Sequence, residues 1–135
     1  MINILIASHS NKLAEGLTEL VGQMAGDVNI EYSGGTEDGQ LGSNFEEINE
    51  KMTRLAEDGL IVFFDLGSSM MNCETAYDML DTKLQEKVLL AGSPLVESSV
   101  QIAVSIEEDT TLNQIRDMVN TCLLYTSDAA DDMQC

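Results

Sequence analysis

The only histidine of the chain, His9, stands one residue beyond the apolar run Ile2-Asn3-Ile4-Leu5-Ile6-Ala7, and a helical pattern starts within a few residues of it. An imidazole at a strand-to-helix turn meets solvent beside a helix N-terminus, where unpaired backbone N–H groups favour anions. The chemistry that suits this position is phosphoryl carriage or proton transfer; the plainer reading is a polar residue decorating a turn. Asp65 follows a second apolar run, Leu60-Ile61-Val62-Phe63-Phe64. A carboxylate that accepts a hydrogen bond from one imidazole nitrogen fixes the tautomer and leaves the other nitrogen as a nucleophile, although an aspartate there also serves as a helix cap. Ser10, Thr36, Ser68 and Ser69 are hydroxyls able to bind phosphoryl oxygens, and Gly34, Gly35 and Gly67 let a backbone approach closely. Taken singly, Gly34-Gly35 reads as a turn and the serines read as caps. Together they matter because three successive strand ends each offer groups suited to one phosphate.

Those residues need a scaffold that brings distant positions together. Strand-like and helix-like segments alternate along the chain. After the first strand, Leu13, Leu17, Leu20, Val21 and Met24 recur at helical spacing and predict one buried face. Val28, Ile30 and Tyr32 alternate with polar residues, as expected of a strand near a sheet edge. A glycine-rich loop over 33–43 leads to a helix striped by Phe45, Ile48, Met52 and Leu55. The run 60–64 is apolar throughout and predicts a central strand covered on both faces. A helix with Ala76, Met79 and Leu80 inside follows, then a fourth strand Val88-Leu89-Leu90-Ala91 and a helix whose first turn holds Pro94. A last helix runs from about Thr111, with Leu112, Ile115 and Val119 facing the core.

This alternation predicts an α/β fold: a doubly wound, mostly parallel sheet of four or five strands, order 2-1-3-4, with helices on both faces. In that order strands 1 and 3 are neighbours and the chain changes direction between them, so His9 and Asp65 converge at the switch point. Residues 1–120 form one domain. The pattern breaks in Thr121-Cys122-Leu123-Leu124-Tyr125-Thr126-Ser127-Asp128-Ala129-Ala130-Asp131-Asp132, a stretch that resembles translated sequencing-adapter read-through. Residues 121–135 are therefore read as a non-native or disordered tail and carry no functional reading.

Composition limits the functions available. The 135 residues include 24 acidic and 6 basic side chains, a formal net charge of −18. Such a field repels nucleic-acid backbones and anionic membrane surfaces. The three cysteines, Cys73, Cys122 and Cys135, show no metal-ligand spacing and no even-numbered framework, which fits a reducing cytoplasm. No run approaches the roughly 20 apolar residues that span a bilayer, and residues 2–7 are too short for a signal peptide. No metal site or cofactor is expected.

Two phosphate-handling alternatives fail on their residues. A response-regulator receiver needs acids after the first strand and a lysine after the fourth, where this chain has Ala7-Ser8-His9 and Gly92-Ser93-Pro94. A nucleotide binder would carry GxGxxG or GxxxxGK[ST], and neither occurs.

One family does fit. Ser8-His9-Ser10, Lys12-Leu13-Ala14-Glu15-Gly16, Gly34-Gly35-Thr36-Glu37-Asp38-Gly39, Asp65-Leu66-Gly67-Ser68, Met71-Asn72 and Ala91-Gly92-Ser93-Pro94-Leu95-Val96-Glu97 occur in order over residues 1 to about 120. The set resembles the phosphotransferase subunits of phosphoenolpyruvate-dependent dihydroxyacetone kinases, relatives of the mannose-type enzyme IIA domains. The resemblance implies a histidine phosphocarrier. His9 would accept a phosphoryl group from phospho-HPr and pass it to ADP on the nucleotide-binding subunit of the kinase, beside the dihydroxyacetone-binding subunit. It also implies that Asp65 pairs with the histidine, that Ser10, Gly35, Thr36 and Ser68 line the phosphate site, and that the protein is a homodimer. A sugar-specific mannose-type IIA component and a non-catalytic regulatory module are the alternatives.

Overall fold

The computed structural model describes residues 1–128, the last seven of these through their backbone only. Four strands, β1 (Asn3–Ser8), β2 (Ile30–Gly34), β3 (Leu60–Phe64) and β4 (Val88–Ala91), form one sheet in the order β2-β1-β3-β4. Every pairing is parallel, with Ile6 opposite Tyr32 on one side and opposite Phe63 on the other. This is the doubly wound arrangement expected from the alternation of elements. β1 and β3 are buried along their whole length, as strands covered on both faces must be.

Six helices connect and cover the strands: α1 (Asn11–Met24), α2 (Phe45–Leu55), α3 (Ser68–Met79), α4 (Thr82–Gln85), α5 (Leu95–Ser105) and α6 (Leu112–Asp128). Alternation of side chains along β1 and β3 divides the core in two. Ile4, Ile6, Ile61 and Phe63 pack under α1, α5 and α6 with Val21, Ile102 and Ile115. Leu5, Ala7, Val62 and Phe64 pack under α2 and α3 with Ile48, Met52, Cys73 and Ala76. The Cys73 thiol is free and buried, and burial pushes it up to about 12. The side chains of Cys122 and Cys135 lie outside the described residues.

Local signals account for where helices begin. Ser10 caps α1, its Oγ accepting from the Leu13 N–H at 3.2 Å. Asn44 caps α2 in the same way through the Glu47 N–H, and Glu46 and Glu47 complement the positive helix end. Thr111 and Gln114 cap α6 reciprocally, each side chain accepting from the other's backbone N–H. Pro94 stands one residue before α5, as its cap, and not within the first turn.

Two further expectations need correction. Of the apolar stripe predicted for α1, Leu17 and Val21 are buried while Leu13, Leu20 and Met24 are exposed, because no described element covers that side of the helix. In the third helical segment Ala76 is buried, but Met79 is 65% exposed and Leu80 is buried one residue beyond the end of α3. The backbone of α6 continues to Asp128, through the stretch where the sequence pattern breaks at Asn120. Residues 129–135 lie outside the described residues. No helix among the described residues is long and apolar enough to cross a membrane.

Candidate functional site

The site is built where β1 and β3 end side by side. After β1 the chain turns into α1 on one face of the sheet, and after β3 it turns into α3 on the other. That divergence opens a crevice between adjacent strand ends. His9 leaves β1 and Asp65 leaves β3 at this point, so residues 56 positions apart in sequence become direct partners. Asp65 Oδ2 lies 2.7 Å from His9 Nδ1.

The carboxylate is held from several sides. Asp65 Oδ2 also accepts from the Ser8 hydroxyl at 2.6 Å and from the His9 backbone N–H at 3.2 Å, while Oδ1 accepts from the Leu66 N–H at 2.6 Å. Burial pushes the Asp65 carboxyl up, but the Ser8 hydroxyl, the Leu66 N–H and the His9 contacts outweigh it, and the group sits below its ordinary range. An ionised carboxylate only accepts hydrogen bonds. Nδ1 must therefore carry the proton in the neutral ring, which leaves the Nε2 lone pair free. The side chain of Asp65 is 8% exposed and that of His9 is 36% exposed, so the anchored partner is sheltered and the reactive ring is open.

Ser8 links the two halves of this arrangement. It is the last residue of β1 and almost fully buried; while its hydroxyl donates to Asp65, its Oγ accepts from the Ser10 N–H at 3.0 Å. The start of α1 is thereby tied to the carboxylate after β3. Sequence reading places Ser8 in the turn after the first apolar run and assigns it no role, whereas it closes β1. The one signal is that it is the hydroxyl between the apolar run 2–7 and His9.

The other expected residues divide. Ser10 adjoins His9, but its Oγ is engaged in capping α1. The Gly35 N–H donates to the Ser8 carbonyl at 3.2 Å, so this glycine shapes the turn and its amide is occupied. A Cβ on Gly35, which has φ +76°, would lie 2.8 Å from the Gln40 carbonyl oxygen. Thr36 hydrogen-bonds only within its own loop, through Gly39 and Gln40. The loop then returns to the site, the Gly42 N–H donating to the His9 carbonyl at 2.8 Å. Ser68 opens α3 and is exposed, with no hydrogen bond among the described residues. Next to it Ser69 is fully buried with a hydroxyl that has no hydrogen-bond partner among the described residues. The preceding cap of α3 is Gly67, which has no side chain to occupy the first N–H groups of the helix. Among the described residues no group of three His, Cys, Asp or Glu side chains is placed to hold a metal ion.

Fold and site together define a doubly wound domain whose sheet edge presents a carboxylate-oriented histidine next to helix N-termini. A family model described as the PTS system fructose IIA component, EIIA-man, matches residues 3–116. The phosphoryl donor subunit DhaM of a phosphoenolpyruvate-dependent dihydroxyacetone kinase of Listeria innocua is 43% identical over 106 residues, covering 77% of this chain and 85% of that protein. The phosphotransferase subunit DhaM of Lactococcus lactis is 30% identical over 121 residues, covering 90% and 95%. The crystal structure of EF1359, a protein of unknown function, superposes with a TM-score of 0.78 at 34% identity, covering 87% of this chain and 92% of that one. The chain belongs to the EIIA-man family, on the branch of the DhaM subunits.

Proposed function

We propose that this protein is the histidine phosphocarrier of a phosphoenolpyruvate-dependent dihydroxyacetone kinase. The reading rests above all on the 2.7 Å contact between Asp65 Oδ2 and His9 Nδ1, which leaves Nε2 as an exposed nucleophile. The Nε2 lone pair attacks phosphorus on phospho-HPr. The new N–P bond forms as the donor's own N–P bond breaks, and that electron pair returns to the donor imidazole. In the second step the N–P bond on His9 breaks as an oxygen of the ADP β-phosphate attacks, giving ATP on the nucleotide-binding kinase subunit, which then serves dihydroxyacetone. The proton on Nδ1 stays hydrogen-bonded to Asp65 throughout. Ser68 and the free N–H groups at the start of α3 bind the phosphoryl oxygens, and Ser10, Gly35 and Thr36 shape the rim.

Phosphohistidine has a high transfer potential, so the protein's task is alignment and charge stabilisation. This work takes place in the cytoplasm. The carrier acts as a homodimer, and the uncovered apolar side of α1, bearing Leu13, Leu20 and Met24, is the face that meets a second copy. These apolar side chains bring no like charge of their own into such an interface.

The test is incubation with enzyme I, HPr and phosphoenolpyruvate, followed by intact-mass measurement. Wild type should gain one acid-labile phosphoryl group and His9→Ala none, while His9→Ala keeps its fold because the ring contributes no core. Addition of the kinase subunits with ADP should then discharge the label. A His9→Ala protein that labels like wild type would falsify the mechanism.

A further inference from the structure

In a chain with 24 acidic and 6 basic residues, the placement of each cation is informative. Lys51, Arg54, Lys87 and Arg116 are all engaged. Lys51 bonds the Tyr32 carbonyl and Arg54 pairs with Glu31 and Glu50. Lys87 bonds the Glu57 carbonyl and Arg116 bonds Asn113. Lys83 lies on α4, which precedes β4 and so stands at the edge of the sheet opposite the site. Lys12 remains. It is the second residue of α1, exposed, and without a hydrogen bond or ion pair among the described residues.

This position is unfavourable for helix formation. Cations belong at helix C-termini and acids at N-termini. α2 obeys with Glu46 and Glu47, and α5 with Glu97, whereas α1 has no acid in its first turn and carries a lysine there. The acid one turn onward that could pair with it, Glu15, accepts instead from the Tyr32 hydroxyl at 3.0 Å. The lysine is therefore left unneutralised at the helix end that follows His9. A helical side chain leans back toward the N-terminus of its helix, and Lys12 is three residues from His9, less than one turn. Its flexible four-carbon stem leans toward the end of the helix where the imidazole is exposed.

We propose that Lys12 is a phosphoryl-binding residue, its ammonium holding the non-bridging oxygens of the phosphoryl group on His9. This rests on His9 being the phosphorylated residue. The negative field of the whole molecule opposes the arrival of a dianionic group, and one free cation beside the nucleophile offsets that repulsion locally.

Phosphoramidate, a small reagent that phosphorylates histidine, tests this without any docking protein. Nε2 forms a bond to phosphorus as the P–N bond of the reagent breaks and ammonia departs. The rate of mass gain is followed for wild type, Lys12→Gln and Lys12→Arg. At low salt Lys12→Gln should be slower by about fivefold or more, Lys12→Arg should stay close to wild type, and the difference should shrink in about 0.5 M salt as charges are screened. A Lys12→Gln rate equal to wild type at low salt overturns the proposal, as does a loss that Lys12→Arg does not restore. If wild type itself gains no phosphoryl group, His9 carriage fails, a result distinct from either of these.

Discussion

Asp65 does more at this site than offer a negative charge. Its two oxygens receive four hydrogen bonds, three of them on Oδ2, so the carboxylate cannot rotate without abandoning the histidine. Asp65→Asn removes the charge that holds Nδ1 as the donor. Loss of the partner that sets a histidine's tautomer and ring orientation costs roughly 10–100-fold in activity, so phosphoryl transfer through His9 should slow by that much while labelling still reaches completion. Unchanged single-turnover rates would reduce Asp65 to a structural anchor. The same carboxyl lies below its ordinary value of 3.8 in the folded state. Folding therefore favours its ionised form. The stability this contributes is complete above the ordinary value and is lost as pH falls through the lower folded one. Urea denaturation should show Asp65→Asn less stable than wild type at neutral pH, with the gap narrowing as pH falls below the ordinary carboxyl value of 3.8; a gap that stays constant would assign the loss to packing. Ser8→Ala deletes a buried hydrogen bond to a charged group, worth about 1.5–3 kcal/mol. It should lower stability and slow transfer together, and Ser8→Thr, which keeps the hydroxyl, should recover both. Recovery of stability without recovery of rate would separate Ser8 from the chemistry.

At the level of elements, the site depends on close approach between the end of β2 and the start of α1. A Cβ on Gly34 would lie 2.7 Å from both the Asn11 Cα and the Ser10 carbonyl oxygen, with the Ala14 Cβ at 2.9 Å. Backbone cannot yield as a side chain can. Gly34→Ala should cost about 1–3 kcal/mol of stability by overpacking and shift the start of α1 away from Asp65. Denaturation midpoints and the His9 ring resonances of the variant check the two effects separately, and a variant matching wild type in both would show that α1 can move freely. This contact also marks where the sequence stops being informative. His9 and Asp65 could be paired from the chain alone because each follows an apolar strand and the usual order of a doubly wound sheet places both at the switch point. The buried stripe of α2 could be read as well, since Ile48, Met52 and Leu55 are covered by the sheet below. The stripe on α1 could not, because periodicity marks an apolar face but not how much of it a neighbouring element covers. The Ser8–Asp65 bond was hidden for another reason: the sequence places Ser8 in the turn after the first apolar run and says nothing of what stands across from it. The internal closure of the loop through Thr36 and Gln40 likewise depends on backbone dihedrals that no residue pattern specifies.

The molecule as a whole joins a heavily acidic exterior to an uncovered apolar face on α1. Leu20 is 47% exposed and Met24 54% exposed on α1, and Val96 and Val104 are exposed on α5, which packs beside it. Apolar side chains placed side by side in water gain about 25 cal/mol for each Å² they bury. Two chains of net charge −18 repel over most of their surfaces, more strongly as salt is lowered. In the proposed homodimer these opposing terms predict sensitivity to salt and to a single charge within the face. Leu20→Glu removes apolar area and would add like charge to both sides of the proposed symmetric interface. It should convert the protein to a monomer in sedimentation equilibrium, whereas wild type should dimerise more tightly as salt rises. Leu20 lies about 14 Å along the helix axis from the start of α1, so His9 in Leu20→Glu should still accept a phosphoryl group from phosphoramidate at the wild-type rate. A wild type that sediments as a monomer at every salt concentration would remove the homodimer, and a Leu20→Glu protein that remains dimeric would move the interface to another face.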